Sequence, residues 1–188
     1  MLEIHLLGTV QVLDGGKLLP PFPTQRSREL FASLAARPNH PHPRITLAGS
    51  LWPEKAEDKA RASLNTELWR VRQVLGSADN NLELARETIA LNIPVEQVDI
   101  HKFRALTKRG DVPALKEAVE LYRGEFLEGC YADWCLLERE QLFDQLCSVL
   151  EGLLRHHESR GELTEAIAFA KRINAFDPLR EEMHRALM

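Results

Sequence analysis

The side chains that could do the most specific chemistry in this sequence fall within residues 61–72, and the chemistry they suit is contact with DNA. Arg70 lies off an apolar stripe with helical spacing, and an arginine can donate two hydrogen bonds to O6 and N7 of guanine. Asn65 and Thr66 lie about one turn earlier. An asparagine can pair with adenine, and a threonine methyl group can contact that of thymine. The pattern therefore predicts base contacts, with Arg70 as the first candidate.

A second set of side chains is suited to the DNA backbone. Arg61, Ser63 and Arg72 are predicted to bind phosphates, which fix the register of a protein without reading the base sequence. Arg86, in a predicted turn, is expected to reach the minor groove or a phosphate, and Thr88 follows it as a further candidate. Each assignment has a plainer alternative, a solvated polar residue, and Arg72 could instead form a surface salt bridge of little energetic value.

The three tryptophans receive different interpretations. Trp69 falls on the side predicted to face DNA or a partner, although a large aromatic residue is often half-buried. Trp52 is predicted to belong to the core between two helices, and Trp134 to the core of a later helical region.

A helix must position most of these candidates, and the pattern predicts one from near Glu57 to a C-cap at Gly76. Its apolar stripe consists of Leu64, Leu68, Val71 and Leu75. A shorter helix is predicted from near Thr46 to Trp52-Pro53. A short helix, a turn and a second helix with a polar, basic outer face form the layout of a helix-turn-helix, whose second helix enters the major groove of DNA.

Short strands are predicted on both sides of these helices. Residues 2–19 are typical of two strands, with a hairpin turn at Asp14-Gly15-Gly16. Thr24 is a predicted N-cap for a helix that ends near Ala36. Residues 82–91 predict a small hairpin, in the place where a wing would follow the third helix.

From Val98 onward the pattern is helical, with helices predicted over residues 99–106, 113–122, 131–159, 164–176 and 181–188. The segment 153–178 is typical of a tetratricopeptide unit, since Gly161, Ala166 and Pro178 fall in the register of that repeat. The chain stops inside the last helical pattern, which predicts a fragment of a longer protein.

The amino-acid composition limits the classes of protein to which this chain can belong. The chain is 44% apolar and 28% charged, as in ordinary globular proteins. No apolar run could span a bilayer, and no signal peptide is predicted. Disulfides are not expected among the cysteines Cys130, Cys135 and Cys147, which fits a cytoplasmic location, and Cys130 and Cys135 are predicted to be buried thiols. A net charge of −4 opposes nucleic-acid binding mildly, but the predicted third helix is locally basic.

Catalysis is not indicated by any motif. His40 and His42 lie in a proline-rich loop, and His156 and His157 are adjacent, without zinc-ligand spacing. There is no glycine-rich phosphate loop and no nucleophile motif. We therefore predict neither an enzyme nor a metal site or cofactor.

Several blocks of sequence occur in an order that closely resembles the bacterial transcriptional activation domain regulators, which include the antibiotic regulatory proteins of actinomycetes. The blocks are residues 23–30, 51–54, 60–64, 68–72, 88–91, 98–103, 122–127, Trp134, 138–140 and 177–182. The likeness covers nearly the whole chain. The chain departs from many members at Ile89-Ala90, where they carry Gly-Tyr, and in a less basic third helix.

This resemblance implies a mainly α protein with small β elements. It implies a winged helix-turn-helix of the response-regulator effector type over residues 1–95, then an all-α, tetratricopeptide-like domain over residues 96–188. Family members bind direct repeats in promoters and recruit RNA polymerase. The expected partners are therefore double-stranded DNA, RNA polymerase and a second protomer on DNA, with no membrane partner.

One alternative function stays open at this point. The winged helix could have lost DNA binding, so that the helical repeats act as a protein-interaction module of a larger regulator. The acidic total charge and the acidic residue next to Arg86 favour this alternative.

Overall fold

The computed structural model describes residues 1–176, with side chains through Arg172. It is mainly helical with two small sheets. The chain divides into two compact units: the first comprises Met1–Lys102 and Leu127–Tyr131, and the second comprises Phe103–Phe126 and the chain from Ala132 onward.

An antiparallel sheet opens the first unit, in the order β1 (Leu2–His5), β2 (Gln11–Asp14) and β3 (Lys17–Leu18). The hairpin turn predicted at Gly15-Gly16 is confirmed, and both glycines have positive φ angles of 56° and 81°. Residues 2–19 form three strands where the sequence predicted two. The hairpin joins β2 to β3, while a separate segment connects β1 to β2.

The first helix, α1 (Gln25–Ala35), begins as predicted. Thr24 is its N-cap, and its hydroxyl oxygen accepts a hydrogen bond from the backbone N–H of Ser27. The hydroxyl oxygen of Ser27 accepts one from the backbone N–H of Thr24, which completes a capping box. The face predicted to be buried is buried, since Leu30, Phe31 and Leu34 are each 0% exposed. This helix packs against the later helix that carries the candidate DNA contacts.

The next two helices also follow the prediction, with one shift. α2 (Arg44–Leu51) begins two residues before the predicted Thr46, because Pro43 takes the N-cap position. A strand, β4 (His42–Pro43), precedes α2 where the sequence predicted a loop. α3 (Glu57–Leu75) ends at Gly76, whose φ of 55° confirms the predicted cap.

A second sheet follows α3 after a short 3-10 helix (Gly76–Asn81). β5 (Leu82–Leu84) and β6 (Thr88–Leu91) form the predicted hairpin, and β6 also pairs with β4, so the strand order is β4-β6-β5. The hairpin is thereby attached to the residues that lead directly into α2.

The first compact unit extends past the predicted boundary between residues 95 and 96. Val98 forms a parallel β-bridge with Ile4. Asp99 is buried, and its carboxylate accepts the backbone N–H groups of Leu6 and Leu7 at 2.9 Å. These bonds hold the start of α4 (Asp99–Arg109) to the first sheet, which is why residues 96–102 pack with the N-terminal unit.

The second unit is helical in the residues that the structure describes. The end of α4 is followed by α5 (Val112–Leu121), α6 (Asp133–Ser159) and α7 (Leu163–Phe176). Gly161, with a φ of 73°, lies in the connection between α6 and α7, and Ala166 is buried in α7. Pro178 and the helix predicted over residues 181–188 lie outside the described residues.

Two predictions about side chains of the core have different outcomes. Trp52 is buried, with 5% of its surface exposed, as predicted. Trp134 is only half-buried and makes an edge contact with Phe126, so its assignment to the core was partly wrong. The first turn of an amphipathic helix such as α6 still borders solvent, and an indole can lie across that border.

Candidate nucleic-acid interface

The exposed face of α3 carries most of the predicted DNA contacts. Asn65, Thr66 and Trp69 are exposed, and the indole of Trp69 has 59% of its surface free. Arg61 and Arg72 are exposed on the flank of the same face, whereas Ser63 and Arg70 are half-buried. The apolar stripe of α3 packs against α1 and α2. The opposite face therefore points outward, as the spacing of the apolar residues in the sequence predicts.

Each of the three arginines of α3 forms an ion pair with a nearby carboxylate. Arg61 lies 3.2 Å from Glu57, Arg70 lies 2.5 Å from Glu67, and Arg72 lies 2.9 Å from Asp79. The Arg61 and Arg72 pairs are exposed, and such pairs are weak. They leave both guanidinium groups able to reorient toward a phosphate.

The pair between Arg70 and Glu67 has a different character. Glu67 is buried, with 7% of its surface exposed. Its other oxygen accepts a 2.6 Å hydrogen bond from the hydroxyl of Thr24, the N-cap of α1. Moving Arg70 away would leave the buried carboxylate of Glu67 without its positively charged partner, and an unpaired buried charge destabilises the fold. Arg70 is therefore held at the edge of the outward face.

Arg44 is an interface residue that the sequence did not single out. Its guanidinium donates to Asn65 Oδ1 at 3.2 Å and to the carbonyl of Ala85 at 3.1 Å, while its backbone N–H donates to the carbonyl of Glu87 at 2.9 Å. One residue thus connects α2, α3 and the tip of the β5–β6 hairpin. The sequence around Arg44 does not indicate this role, because the residues that its side chain contacts are 21 or more residues away in sequence.

Lys55, in the turn between α2 and α3, was also missed. Its ammonium group donates to Ser63 Oγ at 2.9 Å and lies 5.5 Å from the ring centroid of Trp52. These contacts place a positive charge beside the half-buried hydroxyl of Ser63. A phosphate near Ser63 would therefore meet Lys55 as well.

The hairpin tip presents a charge of each sign. Arg86 has 96% of its side chain exposed and lies 3.5 Å from Glu87. Thr88 is half-buried in β6 opposite Pro43. The hydrogen bonds of Arg44 connect this hairpin tip to the start of α2 and to Asn65 on α3, so these three parts of the first unit lie together.

One histidine near this hairpin has a perturbed pKa. Burial lowers the pKa of His42, against an opposing backbone hydrogen bond at Arg37, and the nearby His40 lowers it further. His42 is therefore neutral at neutral pH and adds no positive charge to the interface.

Other kinds of site are not found in the part of the chain that the structure describes. Residues 1–176 contain no group of three or more His, Cys, Asp or Glu side chains placed to hold a metal ion. Over the same residues, no helix has both the length and the apolar character needed to cross a membrane. All three cysteines are buried thiols, as predicted for Cys130 and Cys135.

Comparison with known proteins agrees with the resemblance seen in the sequence. Residues 98–188 match the family described as bacterial transcriptional activator domain. The whole chain is 28% identical, over 203 residues, to the regulatory protein AfsR of Streptomyces coelicolor, and it covers 20% of that protein.

A solved structure has a similar fold. It is Mycobacterium tuberculosis EmbR in complex with a low affinity phosphopeptide, with a TM-score of 0.78 and 23% identity. The match covers 99% of this chain and 53% of EmbR. The chain thus spans one fifth of one relative and about half of the other.

Proposed function

We propose that this chain is a DNA-binding transcription regulator that activates promoters, and the match of residues 98–188 to the bacterial transcriptional activator domain family supports this proposal. In this proposal the first unit is a winged helix-turn-helix, with α2 and α3 as its helix pair and the β5–β6 hairpin as its wing. The second unit is the tetratricopeptide-like activation domain. The site of action of such a regulator is the cytoplasm.

The observation that carries the proposal is the outward face of α3 next to the wing. Asn65, Thr66 and Trp69 project from a helix of 19 residues whose opposite side is buried. Arg44 fixes this helix to the hairpin. A helix presented in this way can enter the major groove while the wing reaches the adjacent backbone or minor groove.

The side chains then have distinct roles. Asn65, Thr66 and Trp69 contact base edges, and the Asn65 amide group donates because Arg44 already occupies its oxygen. Arg70, held by Glu67, contacts DNA with the guanidinium N–H groups that Glu67 leaves unused.

The remaining candidates position the protein on the duplex. Arg61, Ser63 and Arg72 bind phosphates on either side of the groove, and Arg86 and Thr88 contact DNA from the wing. Phosphate contacts of this kind carry affinity and salt dependence, and they do not discriminate between sequences.

The proposed mode of activation involves two protomers. They bind side by side on direct repeats in a promoter, and the helical unit contacts RNA polymerase. Cofactors have no role in this mode, and neither does catalysis.

A second candidate function is a protein-interaction module without DNA binding. The pairing of all three arginines of α3 with carboxylates favours it, because it reduces the positive charge offered to DNA. This candidate predicts no salt-sensitive binding to any duplex and capture of a partner protein through the helical unit.

A selection from random duplex DNA at controlled salt tests the proposal. Wild type is compared with Asn65→Ala, Arg70→Ala and, as a matched control on an exposed strand position, Gln11→Ala. Wild type and the control should enrich the same repeated motif, and the Asn65 and Arg70 variants should lose or relax it. Failure of wild type to enrich any motif, even at low salt, would contradict DNA reading and favour the interaction module.

A further inference from the structure

One line of exposed residues along α3 carries no charged side chain. Ala62, Thr66 and Trp69 are all exposed and lie at i, i+4 and i+7, so they follow one another along a single line of the helix surface. We call these three residues the outer ridge. At 1.5 Å per residue the outer ridge is about 10 Å long, which matches roughly three base-pair steps of B-DNA.

The hydroxyl of Thr66 is already occupied within its own helix. Thr66 Oγ1 donates to the carbonyl of Ala62 at 3.1 Å. The hydroxyl therefore has no hydrogen left to donate to a base, and the γ-methyl group of this exposed side chain is available for apolar contact. Together with the methyl of Ala62 and the indole of Trp69, it gives the outer ridge a nearly continuous hydrocarbon surface.

The charged groups that could read guanine lie to the sides of this ridge. Arg70 is paired with the buried Glu67, and Arg61 and Arg72 are paired with Glu57 and Asp79. In the major groove, the only apolar group on a base-pair edge is the C5-methyl of thymine. A hydrocarbon ridge without a hydrogen-bond donor at its centre is complementary to that group.

We propose that the outer ridge recognises thymine methyl groups, so that the centre of each half-site is read by apolar contact with Ala62, Thr66 and Trp69, and guanine contacts are confined to its edges. This inference rests on the proposed function and specifies its chemistry. Thr66 and Trp69 are specificity-determining residues in this scheme, and the hydrogen-bonding side chains beside them set the flanking bases.

The test removes single methyl groups from the DNA. The duplex selected by the wild-type chain is remade with each thymine in turn replaced by deoxyuridine, which lacks only the C5-methyl, and dissociation constants are measured by fluorescence anisotropy. We expect a loss of about fourfold in affinity at each contacted thymine, the factor that corresponds to exposing one buried methyl-sized group. Thymines outside the groove face of α3 should show no change.

A protein variant combined with the altered duplexes completes a double-mutant cycle. Thr66→Ser removes the γ-methyl and keeps the hydroxyl, and it should bind the thymine and deoxyuridine duplexes equally at the position that Thr66 contacts. Thr107→Ser is the matched control, because Thr107 makes the same type of bond to the carbonyl four residues earlier, 2.9 Å from Phe103 O, in α4. The control should keep the full fourfold difference.

The outcomes separate the two proposals. Loss at one to three thymines, abolished in Thr66→Ser at the thymine that Thr66 contacts, supports methyl recognition. Specific binding with no effect of deoxyuridine at any position overturns methyl recognition and leaves DNA reading intact. Absence of any selected duplex overturns both.

Discussion

Replacing Asp99 with alanine should destabilise the first unit strongly, although Asp99 lies outside the proposed interface. Its carboxylate accepts from the N–H of Leu6 with both oxygens and from the N–H of Leu7 with one, all at 2.9 Å. Alanine would leave two buried amides without this acceptor, at roughly 1–3 kcal/mol each. The free energy for opening this part of the unit should therefore fall by about 4 kcal/mol.

Native-state amide exchange is the suitable assay, because the two units could unfold separately. A loss of about 4 kcal/mol corresponds to roughly a thousandfold faster exchange at Leu6 and Leu7. Asp99→Asn keeps one acceptor oxygen, so its effect should be about half as large in free energy. Asp133 provides a matched control, since it also lies in the first turn of a helix but is exposed. Asp133→Ala should cost less than about 1 kcal/mol.

The reasoning would be refuted by one pattern of results. If Leu6 and Leu7 remain as protected in Asp99→Ala as in wild type, the carboxylate does not hold the first strand to α4. An equal loss in Asp133→Ala would show that the effect belongs to helix N-termini in general.

Three further outcomes are expected. Arg72→Ala should lower the slope of log affinity against log salt by about 0.9, the contribution of one phosphate contact, and an unchanged slope would remove Arg72 from the backbone contacts. Glu67→Gln should lower the unfolding free energy by about 2 kcal/mol in urea titration, since it removes the charge of the buried Glu67 that pairs with the half-buried Arg70. A change below about 0.5 kcal/mol would contradict the importance of that pair. The hydrogen bond from Arg160, with help from His157, lowers the pKa of Glu162. This contribution to stability is present above the ordinary glutamate pKa and is lost as pH falls through the lowered value. Arg160→Ala should raise the Glu162 pKa in an NMR titration, and an unshifted titration would exclude the pair.

Much of the first unit could be predicted because its signals are local. Thr24 marks a helix start because its hydroxyl can accept a backbone N–H, and Gly76 marks a helix end because glycine, without a Cβ, readily adopts a positive φ. The apolar stripe of α3 determines which face is outward. The exposure of Asn65, Thr66 and Trp69 follows from that stripe. The start of α2 was predicted less well, because the pairing of His42 with Ile89 depends on a strand far along the chain.

The electrostatic arrangement of the interface could not be predicted, because it depends on tertiary contacts. Glu67 appears in the sequence as one acid among basic residues, yet the helix places it against the Thr24 cap, 43 residues earlier. Arg70 is consequently paired rather than free. Arg44 has no local feature that distinguishes it from other arginines, and its bonds to α3 and the hairpin exist only in the folded unit.

The family, in contrast, could be recognised from the order of many short blocks. The match of residues 98–188 to the bacterial transcriptional activator domain and the likeness of the whole chain to AfsR agree with that resemblance. The individual DNA contacts stay predictions, because the order of blocks identifies a scaffold, whereas base recognition depends on a few individual side chains.

The most direct test of DNA reading by α3 uses the three tryptophans as internal probes. Trp69 lies on the outer ridge, Trp52 is buried in the first unit, and Trp134 belongs to the second unit. With 5-fluorotryptophan incorporated, each should give its own fluorine resonance. On titration with the selected duplex, the Trp69 resonance should move and lose its shift between H₂O and D₂O, while those of Trp52 and Trp134 stay nearly constant. Movement of Trp134 with no change at Trp69 would contradict the account and place the binding surface in the helical unit.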